Sequence, residues 1–426
     1  MRFPLIGVCF LWITSHFAIA ADNSSWPQWR GPNRDGIAPA TGLLSTWKDH
    51  APPLSWSVKG MGRGFASPSI VDDFIYSTGE GDGQQFVIAM KLATSPSSAP
   101  PTLAWKTPIG KAGDVGYPGS RCTPTVDGKL LFATSTTGDI ACLDRISGKV
   151  LWSKNMVTEF GGKMMSVWGF SESPLVDGDK VIITPGSDEA AIVALEKTSG
   201  ELIWKSVIVD AKGAGYASLV VSEAAGVRQY ITLLGGALVS VDADSGKLLW
   251  SYAKVANPTA NIPTPIVKDD YVFASTGYQA GAALLKIEKV DGKVKAKEVY
   301  FLDHKTLQNH HGGMVLVGDY LYGGAGHNEG NPICVEFKTG KVVWRERRGP
   351  GTGSAAVTYA DGNLYFRYEN GVVALIKATP ESYQLEGTFE IPEVNDPSWP
   401  HPVIADGLLF LREQDNLYCY DLRAKK

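Results

Sequence analysis

Short apolar runs alternate with turn residues along almost the whole chain, and residues 123–155 show the pattern in full. The apolar runs there are four to seven residues long, the usual length of a β-strand. Asp127-Gly128, between two of them, is typical of a hairpin turn. The pattern predicts a four-stranded antiparallel sheet with strands at 123–126, 129–135, 140–144 and 150–154.

The same unit recurs along the chain. Its closing stretch at 144–152, DRISGKVLW, reappears as EKTSGELIW, DADSGKLLW and EFKTGKVVW, and the aromatic residues that close successive units are 44 to 52 residues apart. Eight four-stranded sheets arranged radially form a β-propeller. We therefore predict an all-β, eight-bladed propeller over residues 54–426, in which these aromatic residues dock each blade on its neighbour. They are Trp56, Trp105, Trp152, Trp204, Trp250, Tyr300, Trp344 and Phe389.

The residues of the repeated stretch are expected to shape a turn and pack neighbouring blades rather than to take part in catalysis or ligand binding. Asp144 is expected to accept hydrogen bonds from nearby main-chain amides, and Gly148 is expected to supply the positive φ that the turn needs. Val150 and Trp152 share one face of an outer strand, so the indole can fill the wedge between two blades.

The two ends of the predicted ring complete each other. The last unit has three strands and no outer aromatic strand, whereas Trp56 belongs to an outer strand that no blade precedes. We therefore predict that the N-terminal strand pairs with the last three strands and closes the ring.

The N-terminus predicts export. Arg2 precedes an apolar run, and Ala18-Ile19-Ala20 is typical of a cleavage site. Residues 1–20 are therefore interpreted as a signal peptide cleaved near Ala20, and residues 21–53 as an N-terminal extension. A retained N-terminal anchor is the alternative. No later run is long and apolar enough to span a membrane, so we expect a periplasmic or secreted protein.

Charge and cysteine positions narrow the possible partners and bonds. The formal net charge is -4 with no basic stripe, which argues against nucleic acid as a partner. Cys142, Cys334 and Cys419 each lie two residues before the acidic residue of a repeat, so they occupy one position in three separate blades. These thiols, with Cys122, are predicted to be buried and free rather than paired.

The repeat with its tryptophan resembles that of the pyrroloquinoline-quinone (PQQ)-like β-propellers, a group that includes quinoprotein alcohol dehydrogenases and the β-barrel assembly lipoprotein BamB. The similarity covers roughly residues 54–426. Further stretches resemble an exported bacterial branch of this group, namely WPQWRGPNRDG at 26–36, GYPGSRCTPT at 116–125, FGGKMMSVWGFSESPLVDG at 160–178 and NHHGG at 309–313. For the dehydrogenases, the resemblance implies a vicinal cysteine disulfide over the quinone, a Ca²⁺ ion held by acidic and amide groups, and a catalytic aspartate. This chain has no Cys-Cys pair. We therefore predict no cofactor, with PQQ and Ca²⁺ as the alternative.

Candidate ligand-binding residues lie in the loops that lead into the inner strands, because these loops surround the mouth of the channel. Polar groups converging in an apolar-walled funnel are typical of a ligand site, although a channel mouth can also be polar simply because it is wet. The candidates are Arg121, Trp168, Glu172, Tyr216, Asn261, His310, His311, Arg348 and Trp399.

The histidines leave three interpretations open. His310, His311, His327 and His401 can all reach the channel face, where they could bind a metal, form hydrogen bonds to a ligand or simply brace a loop. Neighbouring residues on a strand point to opposite sides, and no carboxylate stands beside this pair at the sequence spacing of a ligand. We therefore predict no metal site and no catalytic residue.

Taken together, these features predict an exported, monomeric, non-catalytic propeller that binds a peptide, a protein segment or a polymer at its channel face. The resemblance to BamB implies a role in envelope protein assembly. The alternatives are a PQQ-dependent or degenerate quinoprotein oxidoreductase, and a polysaccharide-binding accessory protein that uses Trp168 and Trp399.

Overall fold

A computed structural model of the protein describes residues 25–95, 99–113 and 115–424. The predicted signal peptide, with its cleavage site near Ala20, lies outside the described residues. Within these ranges the chain forms 32 β-strands, one short α-helix, α1 (Met156–Phe160), and one 3-10 turn (Ala224–Gly226). Neither helical segment of the described ranges is long and apolar enough to cross a membrane.

In the described part of the chain, the strands form eight antiparallel sheets of four, which confirms the predicted all-β, eight-bladed propeller. The strands are, for blade 1, β2 (Ser69–Val71), β3 (Phe74–Gly81), β4 (Gln84–Lys91) and β5 (Thr102–Lys111); for blade 2, β6 (Thr125–Asp127), β7 (Leu130–Thr134), β8 (Asp139–Asp144) and β9 (Val150–Asn155); for blade 3, β10 (Leu175–Asp177), β11 (Lys180–Ile183), β12 (Val193–Glu196) and β13 (Leu202–Lys205); for blade 4, β14 (Val220–Ser222), β15 (Gln229–Leu233), β16 (Leu238–Asp242) and β17 (Leu248–Tyr252); for blade 5, β18 (Ile266–Lys268), β19 (Tyr271–Thr276), β20 (Gly281–Val290) and β21 (Lys293–Leu302); for blade 6, β22 (Met314–Val317), β23 (Tyr320–Ala325), β24 (Asn331–Glu336) and β25 (Val342–Arg345); for blade 7, β26 (Ala355–Ala360), β27 (Asn363–Tyr368), β28 (Val372–Lys377) and β29 (Leu385–Glu390); and for blade 8, β30 (Val403–Ala405), β31 (Leu408–Glu413), β32 (Asn416–Asp421) and β1 (Leu54–Val58).

The first strand of each blade lies nearest the central channel. These inner strands approach one another around the ring, as β2 approaches β6 and β18 approaches β22. The core lies between neighbouring sheets: Phe132 and Ile140 of blade 2, for example, pack with Val181 and Val193 of blade 3.

Strand β1 forms the outer edge of blade 8. It pairs antiparallel with β32, with Trp56 opposite Cys419 and Val58 opposite Leu417. This pairing confirms that the N-terminal strand closes the ring with the last three strands.

The repeated aromatic residue reaches the turn of the following blade. Trp152 Nε1 donates to the main-chain oxygen of Lys197 at 3.0 Å, and its ring lies over Gly200. The same kind of contact joins Trp105 to Arg145 at 3.1 Å, Trp204 to Ala243 at 3.2 Å, Trp344 to Thr379 at 2.9 Å and the Tyr300 hydroxyl to Phe337 at 2.9 Å. At the remaining positions Trp250 donates to Gln229 in its own blade, Trp56 packs on Phe410, and Phe389 packs on Tyr420.

The turn of the repeated stretch has the predicted structure. Asp144 Oδ1 accepts a hydrogen bond from the amide of Ser147 at 2.8 Å, and Gly148 has a φ of 72°.

The four cysteines of the described residues are buried and free, as predicted. Cys142 lies opposite Trp152, Cys334 opposite Trp344, and Cys419 opposite Trp56. Each of these three thiols therefore lies opposite the repeated aromatic residue of its own blade. Burial raises the pKa of Cys142 to about 12, so that thiol stays protonated at neutral pH.

Residues 26–36, here called the channel segment, fill the channel. The sequence assigned them only to an extension outside the repeats. Their contacts are Trp26 with Ile70, Pro27 with Val126, Trp29 with Thr264, Arg30 with Met314, Arg34 with Ser173 and Pro174, and Gly36 with Tyr359. These partners belong to blades 1, 2, 3, 5, 6 and 7, so the segment lies inside the ring of inner strands. The two guanidinium groups satisfy main-chain oxygens at the channel wall and thereby link distant blades.

Candidate functional site

A cavity of about 340 Å³, here called the mouth cavity, lies where the loops before the inner strands converge. Trp29 and Arg30 of the channel segment line it, so this segment forms part of the cavity wall. Its aromatic lining consists of Trp29, Phe65, Tyr117, Trp168, Tyr216, Tyr278 and Trp399. Among the described residues, its ionisable lining, tyrosines aside, consists of Arg30, Arg121, His310, His311, Glu369 and His401.

Six of the nine predicted ligand-binding residues line this cavity. They are Arg121, Trp168, Tyr216, His310, His311 and Trp399. The structure therefore brings together residues from the loops that lead into the inner strands of five different blades. Their role in ligand binding stays a prediction.

The other three predicted residues do not line the cavity. Asn261 is fully buried, and its side-chain amide donates to the main-chain oxygen of Leu234 at 2.9 Å. Arg348 is exposed in the loop between β25 and β26. The Asn261 side chain thus stabilises its own loop. Its position in a loop before an inner strand did not indicate the direction of the side chain.

Glu172 points into the protein rather than into the cavity. Its Oε1 accepts a hydrogen bond from the amide of Thr184, and its Oε2 is buried with no hydrogen-bond partner among the described residues. Burial raises the pKa of Glu172 to about 7, although the nearby charge of Arg34 acts in the opposite direction.

Arg121 brings a positive charge to the mouth cavity. Its guanidinium donates to the main-chain oxygens of Gly119 at 2.9 Å, Gly116 at 2.9 Å and Tyr117 at 2.7 Å, and lies 5.4 Å from the ring centroid of Phe65. Burial lowers the pKa of Arg121 to about 10, which still leaves it charged at neutral pH. Within the described ranges Arg121 forms no ion pair, although the charge of Glu80 acts to raise its pKa, so the guanidinium can attract an anion.

The aromatic side chains form two walls. On one side Trp399 packs against Phe65 with ring centroids 4.8 Å apart and against Tyr117 at 5.3 Å. On the other side Trp168 packs against Tyr216 at 5.9 Å. Rings held in this way present flat apolar surfaces that suit an aromatic or aliphatic group of a ligand.

The two adjacent histidines lie together because residues 309–313 are an irregular loop rather than a strand. Their rings stack with centroids 3.7 Å apart. Burial lowers the pKa of His310 to about 3 and that of His311 well below its usual value, so both imidazoles are neutral.

No carboxylate stands at a ligand-like sequence spacing from these histidines, but the fold brings one beside them from a distant part of the chain. Glu369 Oε1 lies 3.9 Å from His311 Nδ1. It comes from the turn after β27 in the next blade, and the sequence distance between the two residues hid the contact.

Sequence reasoning also missed Trp29, Arg30 and Tyr278. The unusual composition of WPQWRGPNRDG outside the repeats was the available signal for the first two, but it did not indicate that the segment enters the channel. Tyr278 lies on a turn between two strands of blade 5, where hairpin residues are ordinarily solvated.

The fold places the chain in the PQQ-like class of β-propellers. Within this class, the family model described as outer membrane protein assembly factor BamB matches residues 100–346, more than half of the chain, and the chain belongs to that family.

Curated relatives of this family are distant in sequence. BamB of Shewanella oneidensis is 23% identical over 263 residues, and the match spans 58% of this chain and 61% of the relative's length. BamB of Moranella endobia is 24% identical over 306 residues, or 69% of this chain and 74% of the relative.

Solved structures share the fold. The structure of BamB from Moraxella catarrhalis has a TM-score of 0.60 at 15% identity and covers 88% of this chain and 99% of its own. The quinohemoprotein alcohol dehydrogenase of Comamonas testosteroni has a TM-score of 0.66 at 14% identity, covering 96% and 82%. Similarity at this level of identity shows a shared fold but does not identify a ligand. The ligand has to be inferred from the residues of the site.

The residues of the mouth cavity fit the quinone chemistry of the dehydrogenases only in part. Arg121 and the flat rings suit a planar carboxylate, but the described residues of the lining include Glu369 and no aspartate. The four free cysteines of the described residues lie buried in separate positions and provide no vicinal disulfide.

Proposed function

We propose that the protein is an exported scaffold propeller that holds a segment of a partner protein in its mouth cavity during envelope protein assembly. The observation that carries the proposal is that Trp29 and Arg30 of the channel segment form part of the cavity wall. Because this segment lies inside the ring of inner strands, we infer that the cavity receives a side chain or a chain end rather than a threading polymer.

The lining indicates which partner segment fits. Two aromatic walls suit an apolar or aromatic side chain, and Arg121 brings a positive charge that forms no ion pair with a carboxylate of the described residues. A segment that carries an aromatic residue beside a carboxylate matches both features. Membership of the BamB family supports a role in assembly, since the matched relatives are named outer membrane protein assembly factors.

Site-specific photocrosslinking tests this proposal. Tyr117 at the cavity mouth and Ile146 on an outer blade turn are each 52% exposed, so they form a matched pair of positions for p-benzoylphenylalanine. In envelope preparations, we expect crosslinks to a small set of proteins from position 117, and we expect Arg121→Ala to abolish them. Identical crosslinks from both positions would contradict a specific mouth site.

A second candidate is binding of a planar anionic quinone, which the positive charge of Arg121 and the aromatic lining favour. Titration of the purified protein with PQQ, with and without Ca²⁺, separates the two candidates. Saturable thermal stabilisation together with dye reduction by an alcohol would support the oxidoreductase, whereas stabilisation by oligosaccharides instead would favour a polysaccharide ligand.

A further inference from the structure

A histidine pair and a carboxylate meet in the wall of the mouth cavity. His310 and His311 precede β22 in blade 6, and Glu369 follows β27 in blade 7. One ring nitrogen from each histidine and one oxygen of Glu369 lie within 4.8 Å of one another. The fold therefore gathers two nitrogen donors and one oxygen donor from two blades at one point.

The Nδ1 atom of His311 needs an explanation. It is buried and has no hydrogen-bond partner among the described residues, and it lies 3.9 Å from Glu369 Oε1, which is beyond hydrogen-bond length. Two metal–ligand bonds of about 2.1 Å separate their ligand atoms by about 3.4 Å at a tetrahedral angle and by about 4.2 Å when the ligands lie opposite each other. The gap between these two atoms is therefore the size that a bound ion spans.

Neighbouring groups hold the donors in place. Glu369 Oε1 accepts hydrogen bonds from Trp399 Nε1 at 2.7 Å and from the amide of Ser354 at 3.0 Å. The two ring nitrogens of His310 contact the hydroxyls of Ser354 at 3.1 Å and Tyr278 at 3.0 Å. If either ring nitrogen of His310 binds an ion, the other nitrogen retains its hydrogen bond to a hydroxyl group. Hydrogen bonds of this kind orient the ligands of a metal ion.

We propose that His310, His311 and Glu369 bind one divalent first-row transition ion, and that zinc is the ion that suits them best. Imidazole and carboxylate donors without thiolate are a common zinc set, whereas Mg²⁺ and Ca²⁺ prefer oxygen ligands throughout. This site goes beyond partner binding and does not depend on it.

Isothermal titration of ZnCl₂ into chelator-treated, full-length protein without a histidine tag tests the site. We expect one site per chain, with an affinity that falls at least about tenfold in both His311→Ala and Glu369→Gln. The exposed histidine at position 50 supplies the control, because His50→Ala should retain the site. Cobalt binding should produce visible absorption bands in the wild type that are lost in both ligand variants.

The possible results distinguish zinc binding by these three residues from zinc binding elsewhere on the protein. Thermal melts without metal establish that each variant is folded, and added zinc should raise the melting temperature of the wild type and of His50→Ala but not of Glu369→Gln. Wild-type affinity in Glu369→Gln, or zinc binding that His50→Ala removes, would overturn the proposal. Because no partner is present in these titrations, failure of the photocrosslinking experiment leaves their result unaffected.

Discussion

The indole of Trp105 lies over Gly148 of the next blade, and its Nε1 donates to the main-chain oxygen of Arg145 at 3.1 Å. A Cβ atom on Gly148 would lie 2.5 Å from Cδ2 of that indole. The glycine of the repeated stretch is therefore required twice, once by the turn and once by the tryptophan of the preceding blade.

This relationship predicts that Gly148→Ala destabilises the protein more than backbone strain alone explains. Gly128 also has a positive φ, but a Cβ there would have no atom within 4 Å. We expect Gly128→Ala to lower the free energy of unfolding by about 1 kcal/mol and Gly148→Ala to lower it by roughly 2–4 kcal/mol, because the second variant adds crowding. Urea unfolding measures both, and equal losses would show that the indole does not press on the turn.

The ion pair of Arg367 and Glu413 joins blades 7 and 8 with both side chains fully buried. We expect Arg367→Met to lower the free energy of unfolding by about 3–5 kcal/mol, because the variant leaves a buried carboxylate without its partner. The double variant Arg367→Met/Glu413→Leu should recover much of that loss, since neither charge then remains. A double-mutant cycle of Arg367→Met, Glu413→Leu and the double variant, measured by denaturant unfolding, tests this coupling. The two residues are not coupled if the loss in the double variant equals the sum of the losses in the two single variants.

Glu172 should make stability depend on pH near neutrality. Its pKa is about 7 in the folded protein against 4.5 for an ordinary glutamate, so the folded state holds the extra proton between those values. The free energy of unfolding contributed by this group is therefore fully present below pH 4.5 and declines as the pH rises through 7, by roughly 3 kcal/mol in all.

Removing that proton site should remove this part of the pH dependence. Glu172→Gln keeps an oxygen for the Thr184 amide, and we expect it to lose less stability than the wild type between pH 5 and pH 8. Glu201→Gln, on an exposed turn, is the control and should retain the wild-type slope. Parallel slopes in wild type and Glu172→Gln would contradict the assignment.

Two deletions distinguish ring closure from channel filling. Removal of residues 21–60 takes away both β1 and the channel segment, so we expect no cooperative thermal transition. Removal of residues 21–42 retains β1, so we expect a cooperative transition at a lower temperature. A cooperative melt of the longer deletion, followed by circular dichroism, would refute closure by β1.

The repeat made the architecture predictable, because each copy carries its own turn and its own docking residue. Blade number, ring closure at Trp56 and free thiols such as Cys142 all follow from that regularity. The site was predictable only as a region. Glu369 belongs to a different blade from His311, and contacts of this kind have no signature in a single sequence.

Side-chain direction also lay beyond the sequence. Asn261 and Glu172 lie in the predicted loops. Both side chains, however, form hydrogen bonds with main-chain groups of the protein itself and do not line the cavity. The channel segment shows the same limit on a larger scale, since its composition was unusual but its partners lie on six blades.

The position of the channel segment in the chain has a consequence for assembly. Residues 26–36 precede every blade, whereas β32, the strand that meets β1, comes after all the others. The ring can therefore form around a filling that is already present, and nothing has to be threaded through a finished hole. During synthesis the channel segment therefore emerges first, the blades follow, and β32, which pairs with β1 to complete the ring, emerges last.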